Sequence, residues 1–172
     1  MRECLTAVTY VGKRGRGRRL RALFTVMYYA ALRPAEAVAL HQDDCHLPVT
    51  GWGRLVLTRS LPETGPRWTD SGSTHEQRGL KLRPAAEVRT VPIPPVLVEI
   101  LREHIAEFGT AEDGRISQTK RGSVFGSTAY GDVWAATRAL ALTPNRSPLP
   151  WLGGRTTCGT PGSPCGSTPV FR

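Results

Sequence analysis

Two short stretches hold most of the residues that could do chemistry. In ALRPAEAVAL, Arg33 stands immediately before Pro34, with Glu36 one turn further on. An arginine fixed at a corner beside a carboxylate presents a rigid, five-donor fork whose geometry suits a phosphate. The same spacing also suits a plain helix joint, in which Arg33 and Glu36 simply pair. In GLKLRPAAEVRTVPIP, Lys81 lies on an extended run with Arg83 and Arg89 close by. A lysine on a hairpin can deliver charge or a proton to a leaving oxygen. Alternatively it is a solvated edge-strand lysine that discourages sheet pairing. No cluster of Cys, His, Asp and Glu has metal-ligand spacing, so neither a metal nor another cofactor is expected.

These residues need elements to position them. In RLRALFTVMYYAAL, Leu20, Leu23, Phe24, Met27, Tyr28 and Ala31 recur at helical spacing. Pro34 fits the first turn of the next helix, where its missing N–H costs nothing, and Glu36 suits that helix's positive end. The two helices should therefore meet at a sharp corner with Arg33 at the joint. Leu55 to Leu57 reads as a short strand, and PETGPRWTDSGSTHEQRG as a loop or the far end of a hairpin. GLKLRPAAEVRTVPIP supplies two further strands turning near Pro84. PPVLVEILREHIAEFG forms a helix with Val96, Ile100, Leu101 and Ile105 as its stripe and Gly109 past its end. GSTAYGDVWAATRALAL is a last helix carrying Val133, Trp134, Thr137 and Leu140. The order gives an α+β domain, mostly helical, with a small antiparallel three-stranded sheet.

The totals bound the partner. The chain has 172 residues, with 23 Lys plus Arg against 14 acids and a net charge of +9. Such an excess points to a polyanion, with nucleic acid first, or to a basic surface without a partner. The run GKRGRGRRLR reads by itself as a solvated arm or helix start. No run approaches the about eighteen apolar residues of a membrane helix, and no signal-peptide layout opens the chain. A cytoplasmic location is expected, with Cys4, Cys45, Cys158 and Cys165 as reduced thiols.

Taken together and in this order, the two stretches resemble the catalytic domain of the tyrosine recombinases, the phage-type site-specific integrases. Ala31-Leu32-Arg33-Pro34-Ala35-Glu36 through Leu40 matches the family's G-L-R-x-x-E-x-x-x-L box. Asp44 fits the acidic position after it, and Lys81 with Arg89-Thr90-Val91-Pro92 matches the lysine hairpin and its R-x-V-P ending. The resemblance covers about residues 5 to 150. It implies binding of double-stranded DNA and strand transfer through a phosphotyrosyl intermediate, without metal. Arg33 would hold the non-bridging oxygens of the scissile phosphate, and Lys81 would act as general acid. Glu36 and Asp44 would support them, and Arg83 and Arg89 would meet the DNA. The intact family assembles as tetramers on DNA, which this chain is not expected to do.

The family's second arginine box and its tyrosine nucleophile have no match after Leu142. His75-Glu76-Gln77-Arg78 fits H-x-x-R but precedes Lys81 in a polar loop and reads as incidental. Tyr130 reads as a packing residue. Residues 151–172 are instead rich in Gly, Pro, Ser and Thr, a composition that cannot bury enough apolar area to order itself. If each codon of Arg155 to Pro161 began one nucleotide earlier, its last two bases would be fixed by the encoded residues. That frame permits P-Y-D-L-R-H-A, the missing box, and further on L-S-L-W-L-N-S-G-V-P. The expectation is an integrase-like catalytic domain over 1–150, incomplete at its C-terminus. It is followed by a disordered, out-of-frame tail over 151–172, and the chain is expected to be inactive. The alternative is a non-catalytic basic DNA-binding or interaction module.

Overall fold

The computed structural model describes residues 2–69, 72–80 and 88–142. A short helix, α1 (Arg2–Ala7), leads through two 3-10 turns into α2 (Arg16–Tyr29). Gly17 lies where the chain crosses over itself. A Cβ there would sit 1.9 Å from the Val8 carbonyl oxygen and 2.3 Å from that of Val11, so only glycine fits. The N–H of Gly17 donates to the Val11 carbonyl at 3.2 Å and closes the turn.

Helix α2 buries a wide arc: Leu20, Ala22, Leu23, Phe24, Thr25 and Val26 are all enclosed. The expected stripe is only partly right. Tyr28 is exposed and Val26 takes its place, because α2 is covered by neighbours on more than one side. Buried Thr25 satisfies its hydroxyl by donating to the Arg21 carbonyl at 2.6 Å.

After α2 the chain turns sharply into α3 (Pro34–Val38), with Pro34 at the first helical position as the sequence indicates. Among the described residues the sheet that follows has three antiparallel strands in the order β1 (Cys45–His46), β2 (Gly53–Leu57), β3 (Arg89–Ile93). Leu55 faces Val91 and Leu57 faces Arg89, and Leu55 also pairs with Cys45. Alternate residues Gly53, Leu55 and Leu57 point inward, giving the period of two that a half-buried strand shows.

One strand of this sheet, Cys45–His46, is not among the expected ones, and most of the strand expected before Pro84 lies outside the described residues. Cys45–His46 pairs with the outer side of β2, away from β3, and is too short to leave a periodic signal. Gly79 and Leu80 lie outside any strand, and residues 81–87 of the expected hairpin fall outside the described residues. The long connection after β2 instead folds back on itself through bridges pairing Ser60 with Arg78 and Glu63 with His75. It is the far end of a hairpin, one of the two forms the sequence allows.

Helix α4 (Pro95–Phe108) packs on α2 and buries Leu97, Val98, Ile100 and Leu101, with Val98 lying against Gly53 of β2, and Gly109 follows its end at φ +65°. Val96, expected in the stripe, is exposed, since the inward arc runs one residue later through Leu97, Leu101 and His104. Truncating any of the fully enclosed Leu20, Leu23, Leu97 or Leu101 to Ala should cost about 2–5 kcal/mol. The last described helix, α5 (Ser127–Ala141), docks on α1. It inserts Val133 and Thr137, while Trp134 packs on Phe24 at 4.8 Å between ring centroids and Leu140 faces solvent. No helix among the described residues is long and apolar enough to cross a membrane.

Candidate functional site

The corner between α2 and α3 fixes Arg33. Ala31 adopts a left-handed conformation, φ +49°, which turns the chain out of α2. Arg33 then caps α3 in an extended conformation, φ −68° and ψ 151°. Its own N–H donates to Glu36 Oε2 at 3.0 Å, so the carboxylate satisfies a helix-end donor and locks the arginine backbone. Glu36 is only 3% exposed. A buried carboxylate needs compensation, and Arg89 supplies it from the start of β3, with Nη1 at 3.5 Å from Glu36 Oε2. The Nη2 of Arg89 also points to the Ala30 carbonyl at 3.5 Å, tying the sheet to the end of α2.

Arg33 itself is only loosely paired. Its side chain is 56% exposed, and its nearest approach to Glu36 is 3.9 Å. It lines an open cleft of about 590 Å³ between α3, the loop around Glu63 and the start of α5. Across the cleft stand Glu63, His75 and Tyr130. The N–H of Ser127, at the first turn of α5, donates to Glu63 Oε2 at 2.6 Å, a favourable place for a carboxylate. Burial raises the pKa of the Tyr130 hydroxyl, and the nearby Glu63 raises it further.

Asp44 is not part of this cleft. It accepts the His41 N–H at 3.1 Å through Oδ2 and faces Arg59 Nη2 at 3.5 Å through Oδ1. This second knot borders a different hollow, lined by His41, Arg59, Asp113 and Arg115. In that hollow Asp113 titrates below the usual carboxylate range. Burial works against this shift, and the hydrogen bonds and charge of Arg115 outweigh it.

Of the sequence-derived residues, Arg33, Glu36 and Arg89 thus come together, with Arg89 turned toward Glu36. Asp44 stands apart. Lys81 and Arg83 lie outside the described residues, as does the whole of 143–172. Tyr130 packs against the core as expected, but its edge also reaches the cleft. His75, which reads as incidental in the sequence, lines the same wall. Glu63 left no sequence signal, since only the fold brings it 64 positions along to Ser127. No group of three or more metal-ligating side chains occurs among the described residues.

No protein-family model matches the chain, and no curated protein sequence matches it. Solved structures do. The XerH site-specific recombinase bound to palindromic difH substrate, in a post-cleavage complex, aligns over 81% of this chain at TM-score 0.54 and 14% identity. The same recombinase in a pre-cleavage complex aligns at TM-score 0.55 and 14% identity, again over 81% of this chain. The Tn1549 transposon integrase in complex with transposon right-end DNA aligns over 78% at TM-score 0.56 and 13% identity. The chain spans 33%, 34% and 42% of those three structures. Its fold is thus tyrosine-recombinase-like, the described helices and small antiparallel sheet aligning with part of those structures.

Proposed function

We propose that this chain, with its recombinase-like fold, binds duplex DNA and seats one backbone phosphate in the cleft at Arg33. The observation that carries the reading is the division of labour at the corner. Glu36 holds the Arg33 backbone, Arg89 neutralises Glu36, and the guanidinium of Arg33 is left open to the cleft. A preorganised fork of this kind stabilises phosphate charge without having to reorganise. The structural neighbours, solved with DNA, support the same partner. Lys81 as general acid and Arg83 as a DNA contact belong to this reading through the family motif alone.

The chain as it stands carries no strand-transfer activity in this reading. Of its four tyrosines only Tyr130 lines the Arg33 cleft, and burial, then the charge of Glu63, raises the pKa of its hydroxyl. That is the opposite of an activated nucleophile. Residues 151–172 would be out-of-frame translation of a segment whose proper frame carries the second arginine. Missing that group alone would cost about 10²–10³ in rate.

The test is binding of a fluorescent duplex of about twenty base pairs by anisotropy, together with a denaturing gel of chain incubated with sheared genomic DNA. Arg33→Ala should weaken binding several-fold, and no denaturant-resistant protein–DNA adduct should form. An adduct that vanishes in Tyr130→Phe would overturn the inactive reading. Unchanged binding in Arg33→Ala would overturn the phosphate seat. Sequencing the gene across the codons for 142–172 decides the frame: codons that do not spell P-Y-D-L-R-H-A make the tail native.

A further inference from the structure

Beyond the Arg33 cleft, a second concavity of about 570 Å³ lies between the turn that enters α2 and the loop that precedes α5. Lys13, Arg14, Arg16 and Arg19 form one wall, and Lys120 and Arg121 the other. No acid lines it. Among the described residues none of these six cations has an ion-pair partner, and the remaining sequence adds only two acids, Asp70 and Glu87. The other side of α2 behaves differently. Arg18 pairs with Glu107 at 2.6 Å and Arg21 with Glu103 at 3.1 Å, both across to α4. One helix therefore carries neutralised arginines on one side and unneutralised ones on the other.

Two further observations set this concavity apart from an ordinary solvated run. Arg14 sits in the left-handed region at φ 57°, a conformation that costs a non-glycine residue about 1 kcal/mol or more. Arg19 is held by stacking on the Phe108 ring, its guanidinium carbon 4.6 Å from the centroid, which leaves its edge donors free. The concavity adjoins the Arg33 cleft: Phe125 lines both, and Ala129 and Tyr130 face one each.

We propose that this groove is a second phosphate-binding site, which grips successive phosphates of the duplex flanking the one held at Arg33. The proposal rests on the DNA reading above. It adds a separate contact that supplies affinity without touching the reacting phosphate. Contacts of this kind release counterions, so each phosphate engaged steepens the fall of log K with log salt by about 0.9.

The experiment uses the full chain and the labelled duplex over a salt series. Lys120→Gln/Arg121→Gln removes two charges from one wall, and Lys13→Gln/Arg14→Gln removes two from the other. Arg18→Gln/Arg21→Gln removes two from the paired side of α2 and is the charge-matched control. All six sites are at the surface, and superimposable thermal melts check folding. Either groove variant should bind at least tenfold more weakly and flatten the salt slope by about two. The control should change affinity less than twofold. Equal losses in groove and control variants would reduce the effect to net charge and overturn the proposal, as would unchanged binding in both groove variants. If Arg33→Ala weakens binding while the groove variants do not, the groove fails and the DNA reading stands. If the chain binds no duplex at all, the DNA reading fails with it.

Discussion

The corner at Arg33 and the knot at His41 are built on one plan. In each, a carboxylate three residues on reaches back to accept the leading residue's backbone N–H, Glu36 at 3.0 Å and Asp44 at 3.1 Å. In each, an arginine from a distant strand or loop stands 3.5 Å from that carboxylate, Arg89 in one and Arg59 in the other. The outcomes are opposite. Arg33 extends into an open cleft with its side chain 56% exposed, whereas the His41 side chain is 13% exposed and folds back 2.7 Å from the Ala39 carbonyl. The shared device fixes a backbone. What hangs from that backbone decides whether the side chain is displayed or folded away.

The sharpest test of the enclosed side is Cys45, whose Sγ contacts the His41 carbonyl at 3.3 Å. Burial first, and then the charge of Asp44, pushes its thiol up to about 12. At pH 8 alkylation of Cys45 in the folded chain, followed residue by residue in a mass spectrometer, should be about a thousandfold slower than in the unfolded chain. Asp44→Asn should recover part of that rate. A thiol as reactive as in the unfolded chain would mean the knot is open.

Next come the two carboxylates. Glu36→Ala leaves Arg89 facing a cavity and frees the Arg33 N–H, and should cost about 3 kcal/mol by chemical denaturation. Asp44→Ala should cost about 2 kcal/mol, because the Asp44 side chain is less completely enclosed, 9% exposed against 3% for Glu36. Equal costs would erase the distinction between the two knots.

Two smaller effects sharpen it. Ala31→Gly relieves the left-handed turn ahead of Arg33 and should stabilise the chain by up to about 1 kcal/mol, read as a rise in melting temperature. Arg33→Ala should shift stability by less than about 0.5 kcal/mol while weakening DNA binding. A large loss of stability there would make Arg33 a structural residue after all.

How far the sequence reached follows from the range of each interaction. The ALRPAEAVAL corner was legible because its parts are local: Pro34 sets the helix start, and Glu36 lies within reach of its own turn. The fold class was legible from periodicity in α2, α4 and α5. The two-residue strand β1 was not, since two residues cannot show a period. Glu63 at Ser127 and Arg89 at Glu36 were hidden for a different reason, as partners 64 and 53 positions apart leave no pattern in either neighbourhood. The basic run was visible as charge, but its pairing across a groove with Lys120 and Arg121 exists only in three dimensions.

Gly17 adds a thermodynamic consequence. Because the Val8 and Val11 carbonyls close over it, the turn carrying Lys13, Arg14 and Arg16 is clamped to the body of the domain rather than hinged from it. Cations mounted on a clamped backbone keep their spacing before any ligand arrives, so a polyanion settling among them costs little further chain ordering. A side chain at position 17 would force the turn away from α2 and turn a preset lattice of charges into a loose one. The loss would then fall on the entropy of association, with every charge still present.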